Sequence, residues 1–284
     1  MSFPIIINST NRISSNQYKI SLSSTIDLTD FQVAVGNAFI YYSWTNINAY
    51  PLNNNSFQIA FPGYLSGAFQ TITIPDGTYN ISDLNNYLQY WMISKGLYLI
   101  NTVTKQNLYY MNLSVNPVTY KIQLNTYPLP TSLPSGYTSG GMTFPGIANQ
   151  HPQILIFQLN NFKNLIGFNQ GIYPMLPTNV GTYTKESDNI PNVNPINSIQ
   201  VRLSCVYNPF SENSQIIHCF SNKDAAVGTI IDASPLQLQF VPCTGSHKEL
   251  LLSFFDQNGN VLNIQDPNLT IKLIFRHKDK SEII

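Results

Sequence analysis

Apolar and polar residues alternate along much of this chain. Tyr18, Ile20 and Leu22 alternate with Lys19 and Ser21, and Phe31, Val33 and Val35 with Gln32 and Ala34. Phe57, Ile59 and Phe61 repeat the pattern, Ile72 and Ile74 follow, and Leu269, Ile271, Leu273 and Phe275 close the series. A period of two puts successive side chains on opposite faces, so these segments predict half-buried antiparallel strands. Turn residues such as Pro75-Asp76-Gly77 separate them. Near the end, the apolar run over residues 250–255 breaks at Asp256-Gln257-Asn258-Gly259-Asn260, which predicts two terminal strands and a tight turn.

One segment carries the helical period instead. Leu84, Tyr87, Leu88, Trp91 and Met92 fall on one face of a helix over residues 82–95, with Ser82 as N-cap and Gly96 as its left-handed end. The stripe is expected to face a core, although it could also line a ligand groove. Beyond it, residues 113–115 and 118–124 predict a hairpin around Asn116-Pro117, and residues 154–157 a strand. Residues 128–146 read as a loop too long and polar for a core, and residues 173–195 as a proline-rich extended linker. Residues 199–206, 215–220 and 237–241 complete a final run of five strands with the two terminal ones. No repeat of fixed period is found. Neither strand block alone can close a sandwich, so the order strands, helix-containing middle, strands predicts a β-sandwich interrupted by an inserted subdomain.

Composition adds a constraint on the surface. Charged residues make up 10% of 284, against about 25% in an average soluble domain, and Lys+Arg and Asp+Glu are equal at 14 each. The surface must be polar through Asn, Ser, Thr and Gln, with little repulsion between copies. That suits a protein that works packed against neighbours. An AT-rich coding bias would also enrich Asn, Ile and Tyr, but scarce Lys argues against bias as the whole account. The first residues hold no basic n-region and no stretch reaches the roughly 18 apolar residues of a membrane span, so a protein made in a cytosol is expected. Cys205, Cys219 and Cys243 are an odd number, which predicts isolated, buried free thiols, and the sequons at Asn8, Asn54, Asn80, Asn112 and Asn268 read as chance products of an Asn-rich chain.

Catalytic patterns are missing from the sequence: there is no Gly-rich phosphate loop, nucleophile elbow or His-Glu-x-x-His run. Asp27, Asp30, Asp76, Asp83, Asp232, Asp256 and Asp266 stand beside turns, where carboxylates ordinarily cap backbone N–H groups. Cys205, His218, Cys219, Cys243 and His247 are residue types that suit zinc or a Cys-His nucleophile, but the adjacent His218 and Cys219 point to opposite faces of a strand. No catalytic, cofactor-binding or metal residue is assigned. The basic cluster Arg276-His277-Lys278-Asp279-Lys280 is expected to be a solvated tail rather than a nucleic-acid contact.

Several motifs together resemble one family. They are Pro75-Asp76-Gly77-Thr78-Tyr79 with Ser82-Asp83-Leu84-Asn85, Leu165-Ile166-Gly167-Phe168 with Gly171-Ile172-Tyr173-Pro174, and Pro191, Val193, Pro195-Ile196, Ser198-Ile199 and Val201 leading to Asn208. Trp44-Thr45-Asn46-Ile47 near Asn54-Asn55-Ser56-Phe57, and Phe255-Asp256 with Gly259-Asn260, extend the likeness to both ends. The chain thus resembles the penton proteins of virophages and polinton-like viruses. The resemblance implies a mainly β fold: a single jelly-roll β-sandwich over residues 1–74 and 171–284, with an inserted α+β subdomain over 75–170. It further implies a non-enzymatic minor capsid protein without cofactors, five copies of which plug each fivefold vertex and contact the double jelly-roll major capsid protein. Such a homopentamer would reside in the virion after synthesis in the host cytoplasm. The related adenovirus penton base carries an Arg-Gly-Asp integrin loop; no such tripeptide occurs here, so integrin attachment is not expected.

Two other classes compete. A carbohydrate-binding jelly roll or viral attachment protein would stack sugars on Trp44, Trp91 and the tyrosine of the 128–146 loop, Tyr137. A hydrolase on a β-sandwich frame would need an acid-base pair that the sequence does not display.

Overall fold

The structure, a computed structural model, describes residues 2–64, 67–144, 149–157, 159–178, 180–211, 213–222 and 225–278. The chain divides into two compact units, one made of Met1–Thr45 with Ile196–Ile284 and the other of Asn46–Pro195. The first unit contributes β1 (Ser2–Ile7), β2 (Gln17–Asp27) and β3 (Phe31–Tyr41). The second contains β4 (Ser56–Ala60), β5 (Gln70–Thr73), α1 (Ile81–Ser94), β6 (Leu99–Asn101), β7 (Asn107–Leu108) and β8 (Met111–Val115). It continues with β9 (Ile122–Thr126), β10 (Tyr137–Ser139), β11 (Gln153–Ile156), α2 (Phe162–Ile166), β12 (Gly171–Tyr173) and β13 (Tyr183–Glu186). The first unit resumes with β14 (Ile199–Leu203), β15 (Ile216–Phe220) and β16 (Ile230–Asp232), then β17 (Val241–Pro242), β18 (Ser246–Asp256) and β19 (Leu269–His277).

In the first unit one sheet runs β1-β19-β3-β16, with β17 also on β3, and the other β15-β14-β18-β2; every pairing is antiparallel. Leaving the two-residue β17 aside and counting the strands in chain order, the sheets read 1-8-3-6 and 2-7-4-5. That is the strand order of a jelly roll, and the second unit is inserted between its third and fourth strands. Alternation decides the faces: Leu269, Ile271, Leu273 and Phe275 of β19, Leu250, Leu252 and Phe254 of β18, and Ile199, Val201 and Leu203 of β14 are all buried. Phe254 meets Tyr18 edge-on, with ring centroids 6.0 Å apart.

The last two strands are not a hairpin. β18 and β19 belong to different sheets, and the turn at Asp256–Asn260 only folds the chain back to bridge Phe255 with Val261. The Asp256 carboxylate accepts N–H bonds from Asn258 and Asn260, both 2.8 Å, and Gly259 takes φ 78°. Leu262 and Ile264 are then buried on the way to the other sheet. Local turn chemistry was readable, but pairing partners are set by the sandwich.

The insertion is also wider than residues 75–170. Its four-stranded sheet has the order β12-β11-β4-β5: β4 and β12 flank β11 of the middle and β5 adds to β4, so the inserted unit runs from Asn46 to Pro195. Two further sheets, β10-β6-β7 and β13-β9-β8, complete the unit. Residues 128–146 are not a core-free loop, because β10 pairs with β6 and both Leu129 and Met142 are buried; residues 145 and 146 lie outside the described residues. Residues 173–195 are no linker either, since β13 lies along β9 with Tyr183 opposite Thr126. Long-range pairing satisfies backbone groups that local composition marks as irregular. Of residues 237–241, only Val241 is in a strand, while the three-residue β16 supplies the expected fifth strand.

The N-cap of α1 lies two residues earlier than Ser82. Asn80 is the N-cap: its side chain accepts from Asp83 N–H, while the Asp83 carboxylate accepts from Asn80 N–H, both at 2.9 Å. Gly96, at φ 67°, ends the helix, and Leu84, Leu88, Trp91 and Met92 are buried as the stripe requires. Phe57 stacks on Phe162 at 4.6 Å in the same core.

Asn46 fastens the two ends of the inserted unit. Its Nδ2 donates to the carbonyls of Tyr79 (2.7 Å) and Val193 (2.8 Å), its Oδ1 accepts from Tyr79 N–H, and its own carbonyl accepts from Asn54 Nδ2. Asn46→Ala is expected to lower stability by about 2–3 kcal/mol, because three part-buried backbone groups lose their side-chain partner at once. Urea denaturation of the full chain checks this; a midpoint equal to that of the unaltered protein would contradict it.

Candidate interaction surface

β16 closes one sheet and β15 the other, and His218 on β15 lies 2.7 Å from the Ala233 carbonyl just past β16, so the two strands border the same edge of the sandwich. The connections along this edge carry Tyr207, Phe210, Val227, Leu236 and Leu238, and β16 itself carries Ile230, all exposed. Phe210 is 98% exposed and Leu236 104%, as open as in an extended chain. Beside them a groove of about 690 Å³ is lined by Ile216, Ile217, His218, Cys219, Pro235 and Leu236, among others. Burial holds His218 below its ordinary pKa, so its Nε2–H donates to Ala233 as neutral imidazole. No carboxylate is among the described lining residues.

Charges are spent on local structure. Asp27, Asp76, Asp83, Asp232, Asp256 and Asp266 each accept a backbone N–H at a turn or cap, whereas at Asp30 it is the backbone carbonyl that accepts, from Lys278 N–H at 2.8 Å. The hydroxyls of Thr29 and Ser234, helped by their amides, hold Asp27 and Asp232 below the usual carboxylate range. Arg202 lies 3.8 Å over Phe255 and bonds Gln200; Arg276 lies 3.8 Å over Phe240 and bonds Gln32. The basic cluster is therefore not a free tail, because Arg276 and His277 belong to β19 and Lys278 bonds the Thr29 carbonyl. Asp279 and Lys280 lie outside the described residues.

The Cys and His candidates do not converge. Cys205 and Cys243 meet, with sulfurs 3.9 Å apart and both side chains buried. Cys219 is exposed rather than buried and lines the groove, and His247 bonds the Thr244 carbonyl at 2.7 Å. Among the described residues no group of three or more His, Cys, Asp or Glu could hold a metal ion. Nor are the two indoles platforms for sugar: Trp44 is 2% exposed against Tyr42, and Trp91 is buried in the inserted core. Tyr137 packs against that core as well. The apolar edge itself was missed in the sequence. Its signal is that Phe210 and Leu236 follow Pro209 and Pro235, in turns where no alternation places them inward.

The fold and surface define a jelly-roll protein with an insertion and an open apolar edge. Two experimentally determined structures are similar along their whole lengths. The mavirus penton protein is 12% identical, with 98% of each chain covered and a TM-score of 0.44. A chain of the Sputnik virophage, in its cryo-EM structure, is 15% identical, with 99% of each chain covered and a TM-score of 0.38. No family model and no curated protein matches the sequence.

Proposed function

We propose that the chain is a structural capsid protein without catalytic turnover, which forms the homopentameric penton at icosahedral fivefold vertices and contacts a double jelly-roll major capsid protein. It resides in the virion after synthesis in the host cytoplasm. The observation that carries this reading is the exposed apolar edge on a jelly roll, in a chain with only 10% charged residues and no net charge. Soluble monomers rarely leave such a surface open, and a cyclic ring lets every copy cover the same edge of its neighbour. With charges balanced at 14 and 14, copies meet without repulsion, so the neighbour across the edge is a second copy of this chain. The penton-like motifs support the vertex as the place of assembly.

Electron microscopy of virions, or of the concentrated protein, tests it. Rings of five subunits and density at the fivefold positions are expected. A ring of any other number, or density for this chain at twofold or threefold positions, would overturn the assignment.

A further inference from the structure

The buried sulfurs of Cys205 and Cys243 are in contact at 3.9 Å, the Cys205 S–H donating to Cys243. Around them the backbone is already joined: Val206 bridges Cys243, Thr244 N–H donates to the Cys205 carbonyl at 2.8 Å, and Tyr207 N–H to that of Pro242 at 2.9 Å. Cys205 follows β14 of one sheet, and Cys243 follows β17, which pairs with β3 of the other. We propose that Cys205 and Cys243 are a covalent cross-linking site, closed to a disulfide by a small peroxide and joining the two sheets of the jelly roll. The sulfurs need to close by about 2 Å to reach bonding distance, a movement that side-chain rotation and small backbone shifts supply.

The chemistry balances with hydrogen peroxide as oxidant. One cysteine sulfur, as thiolate, attacks a peroxide oxygen; the O–O bond breaks, and hydroxide leaves and takes up the released proton as water, giving a sulfenic acid. The second sulfur then attacks the sulfenic sulfur, the S–O bond breaks, and a second water carries away the remaining thiol proton. Two thiols lose two electrons in total, and one peroxide becomes two waters. A large disulfide such as oxidised glutathione cannot reach sulfurs that are 0% exposed, whereas Cys219 is open to any reagent. The hydrogen bond to Cys243, together with burial, pushes the Cys205 thiol above its ordinary pKa.

The bond would close a loop over residues 206–242, which holds β15, β16, β17 and the whole apolar edge. The assignment does not depend on the proposed capsid role. Its test uses the full chain with Cys219→Ser, which removes the exposed thiol, incubated with hydrogen peroxide. Peptide mapping without reductant is expected to give Cys205 and Cys243 peptides linked with loss of two hydrogens. The midpoint of thermal unfolding should rise by about 5 °C or more and fall back with dithiothreitol, which does not reverse methionine oxidation. Adding Cys205→Ser should abolish both the link and the reversible rise. Both thiols remaining alkylatable after denaturation of the peroxide-treated protein would overturn the site. So would a linked protein that gains no dithiothreitol-reversible stability.

Discussion

Leu88→Asp is expected to destabilise the inserted unit by roughly 4 kcal/mol and to lower its unfolding midpoint by about 10 °C. Leu88 is 1% exposed and Leu84 3%, both on the face of α1 that enters the core shared by Phe57, Phe162 and Trp91. The helix is also fixed to β8, because the Asn85 side chain accepts the Leu113 N–H at 2.9 Å. A carboxylate at either position loses the leucine contacts and has no partner for its charge. It will therefore hold its proton to a higher pH in the folded protein than in the unfolded chain, so the folded state binds more protons between the two pKa values. Stability of the variant then falls as pH rises through that window, and the damage is smaller near pH 4 than at pH 7. Tyr90→Asp on the same helix is the control, since Tyr90 is 65% exposed and should change stability by about 0.5 kcal/mol or less. Melts of Leu84→Asp and Leu88→Asp that superimpose on the unaltered protein at pH 7 would show that the stripe is not core.

Much of the jelly roll was legible because its long strands alternate. The burial of β19 follows a period of two without exception from Leu269 to Phe275, β2 buries Tyr18 and Ile20 on one face, and β3 buries Val33 and Val35 and then, its parity shifted where the register slips opposite Lys272 and Leu273, Ala38 and Ile40. α1 was legible for the same reason at the other period, down to its terminal Gly96. What escaped were elements too short to display a period. β10, β13 and β16 have three or four residues each and exist because β6, β9 and β3 offer open backbone edges. The limits of the insertion escaped similarly: Phe57 and Ile59 alternate as well as any jelly-roll strand, but β4 finds its partner in β11, about a hundred residues on. At α1, Asn80 and Ser82 are both good capping types, and the reciprocal bonds with Asp83 select Asn80. The apolar edge was least legible, because an apolar residue in sequence is presumed inward and only the fold shows Phe210 and Leu236 facing out.

The double variant Phe210→Asp/Leu236→Asp is expected to abolish self-assembly while leaving the fold intact. Burying a large apolar side chain contributes about 1.5–3 kcal/mol, so the pair supplies about 3–6 kcal/mol at each contact between copies. A closed ring of five has five such contacts, and the loss multiplies around the ring to roughly 15–30 kcal/mol per assembly. Introduced carboxylates add repulsion and desolvation wherever the edge is covered. The isolated chain should hardly respond, since neither side chain is covered within it, and its unfolding free energy should move by about 0.5 kcal/mol or less per site. Sedimentation and electron microscopy at concentrations where the proposed ring is expected of the unaltered protein should therefore find monomers with an unchanged melt. Because the edge carries few charges, assembly of the unaltered protein should also depend little on salt, unlike a contact built from ion pairs. Rings of five that persist in the double variant would exclude this edge as the contact and leave the ring itself standing. The absence of rings in the unaltered protein at every concentration, and of fivefold density in virions, would instead remove the capsid reading.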